Sequence, residues 1–297
     1  MTKVITCANE KIEIGVLPEV GGSLAFFRVK KANEKTDVMR SASSTALMKK
    51  DALNTAMFPM LPYTNRIRDG KFVYWGITRY VPKNQAGVSD PIHGDGWKAK
   101  WTVEKETPTS VTLSLSHKKE DNGFPFAYRA ILKYELKENI LKVTTELTNQ
   151  SVLPMPCGFG LHPFFPKTPH VELAFSGKSV WYHENDPITR PYPIPQEWSF
   201  EKAKPLGNDV FDTCFGGFDG AVSVRWPKRG LTLQIKADDI FGHLVLYAPY
   251  RKGFFCVEPC TMAPDAFNLA SRGIIGTGIK SIGPGETVSG TILFRVS

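Results

Sequence analysis

Glu258 closes the apolar run Phe254-Phe255-Cys256-Val257, and Pro259 follows it at once. A carboxylate delivered by a buried strand, just where proline stops ladder pairing, is a candidate general base. Burial raises its pKa toward neutrality and the strand fixes its direction. The same side chain could merely cap the turn that leads to Pro264-Asp265, so its meaning rests on the other polar residues set among apolar ones. His162 is one of these, held in Pro154-Met155-Pro156-Cys157-Gly158-Phe159-Gly160-Leu161-His162-Pro163-Phe164-Phe165-Pro166. An apolar setting lowers the pKa of an imidazole and a nearby carboxylate raises it, which leaves His162 open to acid or base duty.

His93 sits in Pro91-Ile92-His93-Gly94-Asp95-Gly96-Trp97, where glycines let backbone and ligand approach closely and a tryptophan can stack on a sugar face. A purely structural turn is the competing reading. Arg66 follows Asn65 in a loop between aromatic strands, and it serves either as a forked donor to sugar hydroxyls or as the partner of a surface acid. Asp212 is a further carboxylate between aromatic residues, in Phe211-Asp212-Thr213-Cys214-Phe215. His117, His170, His183 and His243 stand in settings that read as exposed or unremarkable. Cys256 and Cys260 flank Glu258, but no further Cys or His lies nearby at ligand spacing, so no metal is expected.

The elements that position these residues read as strands. Alternation is strict in Ser110 to Ser116 and clear again from Ile140 to Thr148, with Leu141, Val143, Thr145 and Leu147 on one side. Lys11 to Val16 and Gly21 to Val29 read as paired strands whose double glycine suits a bulge or a tight backbone approach. Lys71 to Gly76 looks like a hairpin, and further strands fall at Ala221 to Trp226, Leu231 to Ala237, His243 to Tyr247 and Thr287 to Val296. Ala46 to Met57 is the most helix-like piece of the first half but, short and followed at once by Pro59 and Pro62, reads as a loop turn, Asp265 to Ser271 reads as a short helix, and residues 181–205 as a surface excursion, either a lid or a decorative loop.

Length and composition agree. The chain has 297 residues, with 25 Gly and 22 Pro spread evenly and no linker-like stretch, which points to an all-β protein of a single domain. Its formal charge of +8 comes from 37 Lys and Arg scattered among 29 Asp and Glu. Without a basic cluster interleaved with aromatics, nucleic acid is not an expected partner. An odd cysteine count of 5 at irregular spacing offers no disulfide framework, and neither a signal peptide nor a membrane-length apolar run is present, so a cytoplasmic protein is expected.

Asn65-Arg66-Ile67, His93-Gly94, His162-Pro163-Phe164-Phe165, Phe211-Asp212 and Val257-Glu258-Pro259 with Pro264-Asp265-Ala266, in that order, resemble the motifs of the aldose 1-epimerase (galactose mutarotase) family. The match reaches from the Gly21-Gly22 hairpin to the last strand. This resemblance implies a large antiparallel β-sandwich of galactose mutarotase type with a sugar groove across one sheet, and interconversion of α and β aldohexose anomers without cofactor or metal. It also implies roles. Glu258 takes the proton of the anomeric hydroxyl and His162 gives one to the ring oxygen. Arg66 and His93 hold or polarise the sugar, Asp212 accepts its hydroxyls, and Asn65 supports the loop. Leu161, Phe164 and the His-Gly-Asp-Gly-Trp turn depart from the galactose enzymes, which places the preferred sugar in question.

Other functions compete. A hexose-6-phosphate 1-epimerase would need basic residues at the groove edge, with Arg68, Lys71 and Arg79 as candidates. A sugar-binding protein without turnover has no need of an acid and base pair. A glycosidase calls for two carboxylates flanking the bond, a duty Asp212 and Glu258 could formally share.

Overall fold

A computed structural model describes residues 2–31, 34–119, 121–181 and 190–297. Two antiparallel sheets dominate it, one of ten strands and one of nine, with the first and last strands of the chain both built in. Side chains from both sheets meet between them. Phe165 faces Trp226 at 6.2 Å, Phe175 faces Phe215 at 4.9 Å, and the buried Tyr134 hydroxyl donates across to the Gly22 carbonyl at 2.8 Å. The core so formed runs from Ile5 to Val296. The chain is therefore the expected all-β sandwich.

The nine-stranded sheet behaves as its sequence says. Along Ile140–Asn149, Leu141, Val143, Thr145 and Leu147 are buried and their neighbours are not. The ten-stranded sheet is different, because it is buried on both faces. In Phe254–Cys260, Phe255 and Val257 join the inter-sheet core, while Cys256 and Cys260 belong to a second apolar cluster on the opposite face. Loops carrying Val20 and Trp97 and short helical segments carrying Ala52 and Leu269 cover that outer face. A strand with apolar residues on both sides thus reads as a continuous apolar run rather than an alternating one.

The Lys71–Tyr74 and Ile77–Tyr80 strands form the expected hairpin. Its two-residue Trp75-Gly76 turn has positive φ at both positions, as a tight hairpin with right-handed twist demands. At Gly21 the tight approach is real, since a Cβ there would lie 2.0 Å from the Trp97 carbonyl oxygen.

Some expectations are corrected. Ala46 to Met57 is not a plain loop turn. It holds most of a helix, Ser44–Lys49, whose Ala46 N–H donates to the capping Ser43 hydroxyl, then a single 3-10 turn at Ala52–Asn54, and Met57 already begins a strand. The helix has little apolar periodicity because it buries only Ala46, so the cap is its main sequence signal. The described part of the 181–205 excursion lies largely at the surface, as expected, but is tied to the sandwich at two points. Tyr192 pairs with Val180 through both backbone bonds, and Phe200 is buried in the core. Residues 182–189, including His183, lie outside the described residues. His117 and His243 are buried rather than exposed. The first reaches the Phe124 carbonyl at 2.8 Å, and the second lies between the carbonyls of Thr261 and Gly276.

Gly94 ties a loop to the sheet through a parallel bridge to Leu61, at φ 68° and with its would-be Cβ 2.0 Å from the Leu61 carbonyl oxygen. Gly94→Ala should therefore cost about 1–3 kcal/mol, from left-handed strain and displacement of the loop. Urea denaturation would measure it, and an unchanged midpoint would show that the loop yields freely.

Candidate active site

The site lies on the outer face of the ten-stranded sheet, where strands far apart in the sequence become neighbours. The Met57–Met60 strand pairs with Gly160–Pro166, which pairs with Phe254–Cys260, then His243–Ala248, then Phe211–Gly216. Their registers align side chains in rows on this face. Phe58 lies beside His162, Glu258 beside Val245, and Val245 beside Cys214. In the next row Phe164 is beside Cys256, Cys256 beside Tyr247, and Tyr247 beside Asp212.

The ladder between the strands bearing His162 and Glu258 pairs Gly160 with Cys260 and Phe164 with Cys256, and is interrupted between these points. There Pro163 and Pro259 have no N–H to give. Pro259 does not end the strand, as its sequence position suggests, because Leu244 pairs with it and the strand runs on to Cys260. The antiparallel register sets His162 opposite Glu258, with Nε2 of the imidazole 3.3 Å from Oε1 of the carboxyl.

His162 is clamped between two rings, Phe58 at 4.5 Å and Phe164 at 4.6 Å, both stacked on it. Behind Phe164 lies the Arg40 guanidinium, 3.9 Å from the ring centroid and bound to the carbonyls of Leu53 and Thr55. Burial, with the Arg40 charge adding to it, pushes the His162 pKa down to about 3 against a partial offset from a backbone hydrogen bond. Burial also pushes the Glu258 carboxyl well above its usual range, and Cys260 and Asp212 reinforce that direction. Both shifts favour a neutral carboxyl facing a neutral imidazole at 3.3 Å over an ion pair.

The second histidine comes from two loops that clasp each other. The Asn65 N–H donates to His93 Nδ1 at 3.1 Å, and the His93 N–H donates to the Asn65 carbonyl at 3.0 Å. Both residues take left-handed backbone, φ 57° and 61°. Strain of this kind concentrates where a site over-determines its geometry. Because Nδ1 accepts a hydrogen bond, the proton of the neutral ring sits on Nε2. Burial first, then the neighbouring His162 and Arg66, keep the His93 pKa well below its usual 6.5. His93 meets His162 edge-on at 5.4 Å.

These groups line one cavity of about 320 Å³ together with Gln85, Val88, Ile92, Phe164, Val245, Tyr247 and Phe254. Every residue singled out from the sequence, Asn65, Arg66, His93, His162, Asp212 and Glu258, lies on its wall. Asp212 stands exposed at the mouth, whereas Glu258 is 2% exposed at the floor. Among the described residues Arg66 has no carboxylate within ion-pair distance, so the surface-partner reading does not hold. The Asn65 side-chain oxygen is taken by the Arg66 N–H at 2.8 Å, which makes it a brace for the loop. Sequence reasoning missed Tyr247 and Phe254 as wall residues. Period-2 alternation carried the signal, since Phe254 shares the face of Glu258, and Tyr247 that of Val245.

The aldose 1-epimerase family model matches residues 3–295. The chain belongs to the aldose 1-epimerase family. It is 24% identical over 302 residues to the Escherichia coli protein YphB, itself uncharacterized, covering 99% of this chain and 98% of that one. Solved structures share the fold. A galactose mutarotase-like protein from Clostridium acetobutylicum superposes with TM-score 0.86 at 22% identity, covering 100% of this chain and 95% of that one. A GalM/aldose epimerase homologue from C. elegans superposes with TM-score 0.84 at 18% identity, covering 100% and 99%. Among the described residues no helix of this family member is long and apolar enough to cross a membrane.

The His93 environment predicts a titration. The unfolded chain takes up this proton near pH 6.5 while the folded one does not. This histidine should therefore cost stability as pH falls below 6.5, by up to about 1.4 kcal/mol per pH unit. Nitrogen NMR of the imidazole should show a neutral ring with its proton on Nε2 at pH 6, and a titration centred near 6.5 would contradict the clasp.

Proposed function

We propose that this family member is a cofactor-independent mutarotase acting on a free aldohexose, with Glu258 as base and His162 as acid. The observation that carries the proposal is the 3.3 Å contact between a buried carboxyl and a buried imidazole at the floor of a sugar-sized cavity. Mutarotation requires removing a proton from the anomeric hydroxyl and delivering one to the ring oxygen. The resting pair already holds one proton. Moving it from Glu258 to His162 yields a carboxylate and an imidazolium side by side, the base and acid the step needs. Ring opening returns a proton to Glu258 and spends the one on His162. Rotation about C1–C2 and closure with reversed roles complete the cycle.

The other wall residues suit an uncharged sugar. His93 presents an N–H donor, Arg66 a forked cation, and Asp212 an acceptor at the rim, while Phe164, Tyr247 and Phe254 supply apolar surface. A cavity of about 320 Å³ is at the small end of ligand pockets and suits a single pyranose. The residues that a phosphorylated substrate would need stand elsewhere. Arg68 and Lys71 line a separate cleft with Asp69, Asp265 and Arg272, and the Arg79 guanidinium lies 5.1 Å over the Phe126 ring. This favours the free sugar over its 6-phosphate. Glu258 and Asp212, at floor and rim, do not flank a common bond in the manner hydrolysis asks for. A protein that only binds sugar has no use for a buried carboxyl and imidazole held 3.3 Å apart.

Polarimetry of freshly dissolved α-glucose and α-galactose tests the reading. Glu258→Gln should lower turnover by about 10²–10⁴-fold with sugar affinity kept within several-fold, since it removes the base and keeps the shape. Full activity in that variant would take Glu258 out of the mechanism. Arg66→Ala should act mainly on KM, raising it by about tenfold or more through loss of a charged hydrogen bond. Glucose 6-phosphate should be a poorer substrate than glucose, and a clear preference for the phosphorylated sugar would reverse the assignment.

A further inference from the structure

Cys256 has no part in the chemistry above, yet its position is close to the centre of it. It lies on the same strand face as Glu258, two residues before it, and its Sγ, a nitrogen of His162 and a carboxyl oxygen of Glu258 all fall within 4.8 Å of one another. All three residues are buried, Cys256 completely. The Cys256 thiol makes no hydrogen bond among the described residues, and the His162 nitrogen that faces the carboxyl is Nε2, 3.3 Å from it, while the ring's other nitrogen, Nδ1, is buried without a partner. Burial holds the thiol well above its usual pKa, so without a cation it is a proton-bearing, unreactive group.

One imidazole nitrogen, one sulfur and one carboxylate oxygen on rigid neighbouring strands, opening onto a cavity, form the donor set of a three-ligand zinc site with an open fourth position. Tetrahedral Zn²⁺ with bonds of about 2.0–2.3 Å holds its ligands roughly 3.3–3.7 Å apart. Side-chain rotation of about an ångström closes the present spacing to that range. Sulfur and imidazole select against Mg²⁺ and Ca²⁺. The sequence alone pointed away from such a site, because the third ligand arrives from a strand nearly a hundred residues earlier.

We propose that His162, Cys256 and Glu258 together bind a thiophilic divalent cation, Zn²⁺ being the best fit, and that the bound cation switches the enzyme off. On binding, the thiol and the carboxyl release their protons to solvent and the metal takes up the lone pairs that the acid and base need. The fourth position then faces the sugar cavity and is filled by water or a sugar hydroxyl. The binding site stands on geometry alone, while the inhibition rests on the mutarotase reading.

The test uses the full chain freed of metal with chelator. Co²⁺, a spectroscopic substitute for Zn²⁺, should bind one equivalent with a thiolate-to-metal charge-transfer band and tetrahedral visible bands. Zn²⁺ should displace it and suppress mutarotation stoichiometrically. Cys256→Ala should lose the charge-transfer band, bind Zn²⁺ at least about tenfold more weakly, keep metal-free turnover and escape inhibition. Cys256→Ser serves the same comparison if the alanine variant folds poorly, with circular dichroism as the check. Absence of a charge-transfer band in the wild type would overturn the proposal. So would a band that survives loss of Cys256 and disappears in Cys260→Ala or Cys214→Ala. If the metal-free protein mutarotates no aldose but the Cys256-dependent band is present, the cation site stands and the mutarotase reading fails.

Discussion

The opposition of His162 and Glu258 across two antiparallel strands is the constraint on which the site depends. Antiparallel register brings two side chains on one face to within contact, and a slip by a single residue would turn either one into the inter-sheet core. Two prolines, one on each strand, interrupt the ladder around this pair. The strands hold their alignment from the Gly160–Cys260 and Phe164–Cys256 pairings on either side, and the pair sits in the gap between them. Rings of Phe58 and Phe164 then fix the imidazole plane, and the apolar floor keeps both groups of the pair neutral.

Around that pair the fold divides its labour. The sheet carries what must not move, namely the acid, the base and the aromatic clamp. Loops carry what must meet the sugar at a distance, Arg66 and His93, and these are made stiff by binding each other rather than by packing alone. The outer face of the ten-stranded sheet thus combines an apolar cover with a polar hole in it. Such a hole is costly unless its groups are paired or kept neutral. The pKa directions of His93, His162 and Glu258 all conform to that rule.

Much of this was legible in the chain. Strand periodicity gave the sheet that faces solvent on one side, and polar residues embedded in aromatic runs marked the cavity wall. What was not legible has physical causes. A sheet buried on both faces loses its alternation, so Pro259 read as a strand end when it was a gap in one ladder. A six-residue helix that buries a single alanine leaves only a weak helical signal, which the prolines that follow it outweigh. His117 and His243 looked unremarkable because their partners are backbone carbonyls, which no side-chain pattern reveals. Cys256 was weighed only against neighbours in sequence, whereas its companions on the folded sheet come from another strand.

The clasp between Asn65 and His93 has a bearing on how such a chain tolerates change. Arg66 bridges to Ile92, and Ile67 donates to Pro91, so the excursion between them is zipped shut at its base. Its far tip, the exposed Trp75, projects away from that seam. Residues could be added or removed at the tip without the seam transmitting the difference. The turn's outline can thereby drift, while Phe72, buried against Phe124 and Phe267, keeps the hairpin anchored and the imidazole at its neck keeps its aim.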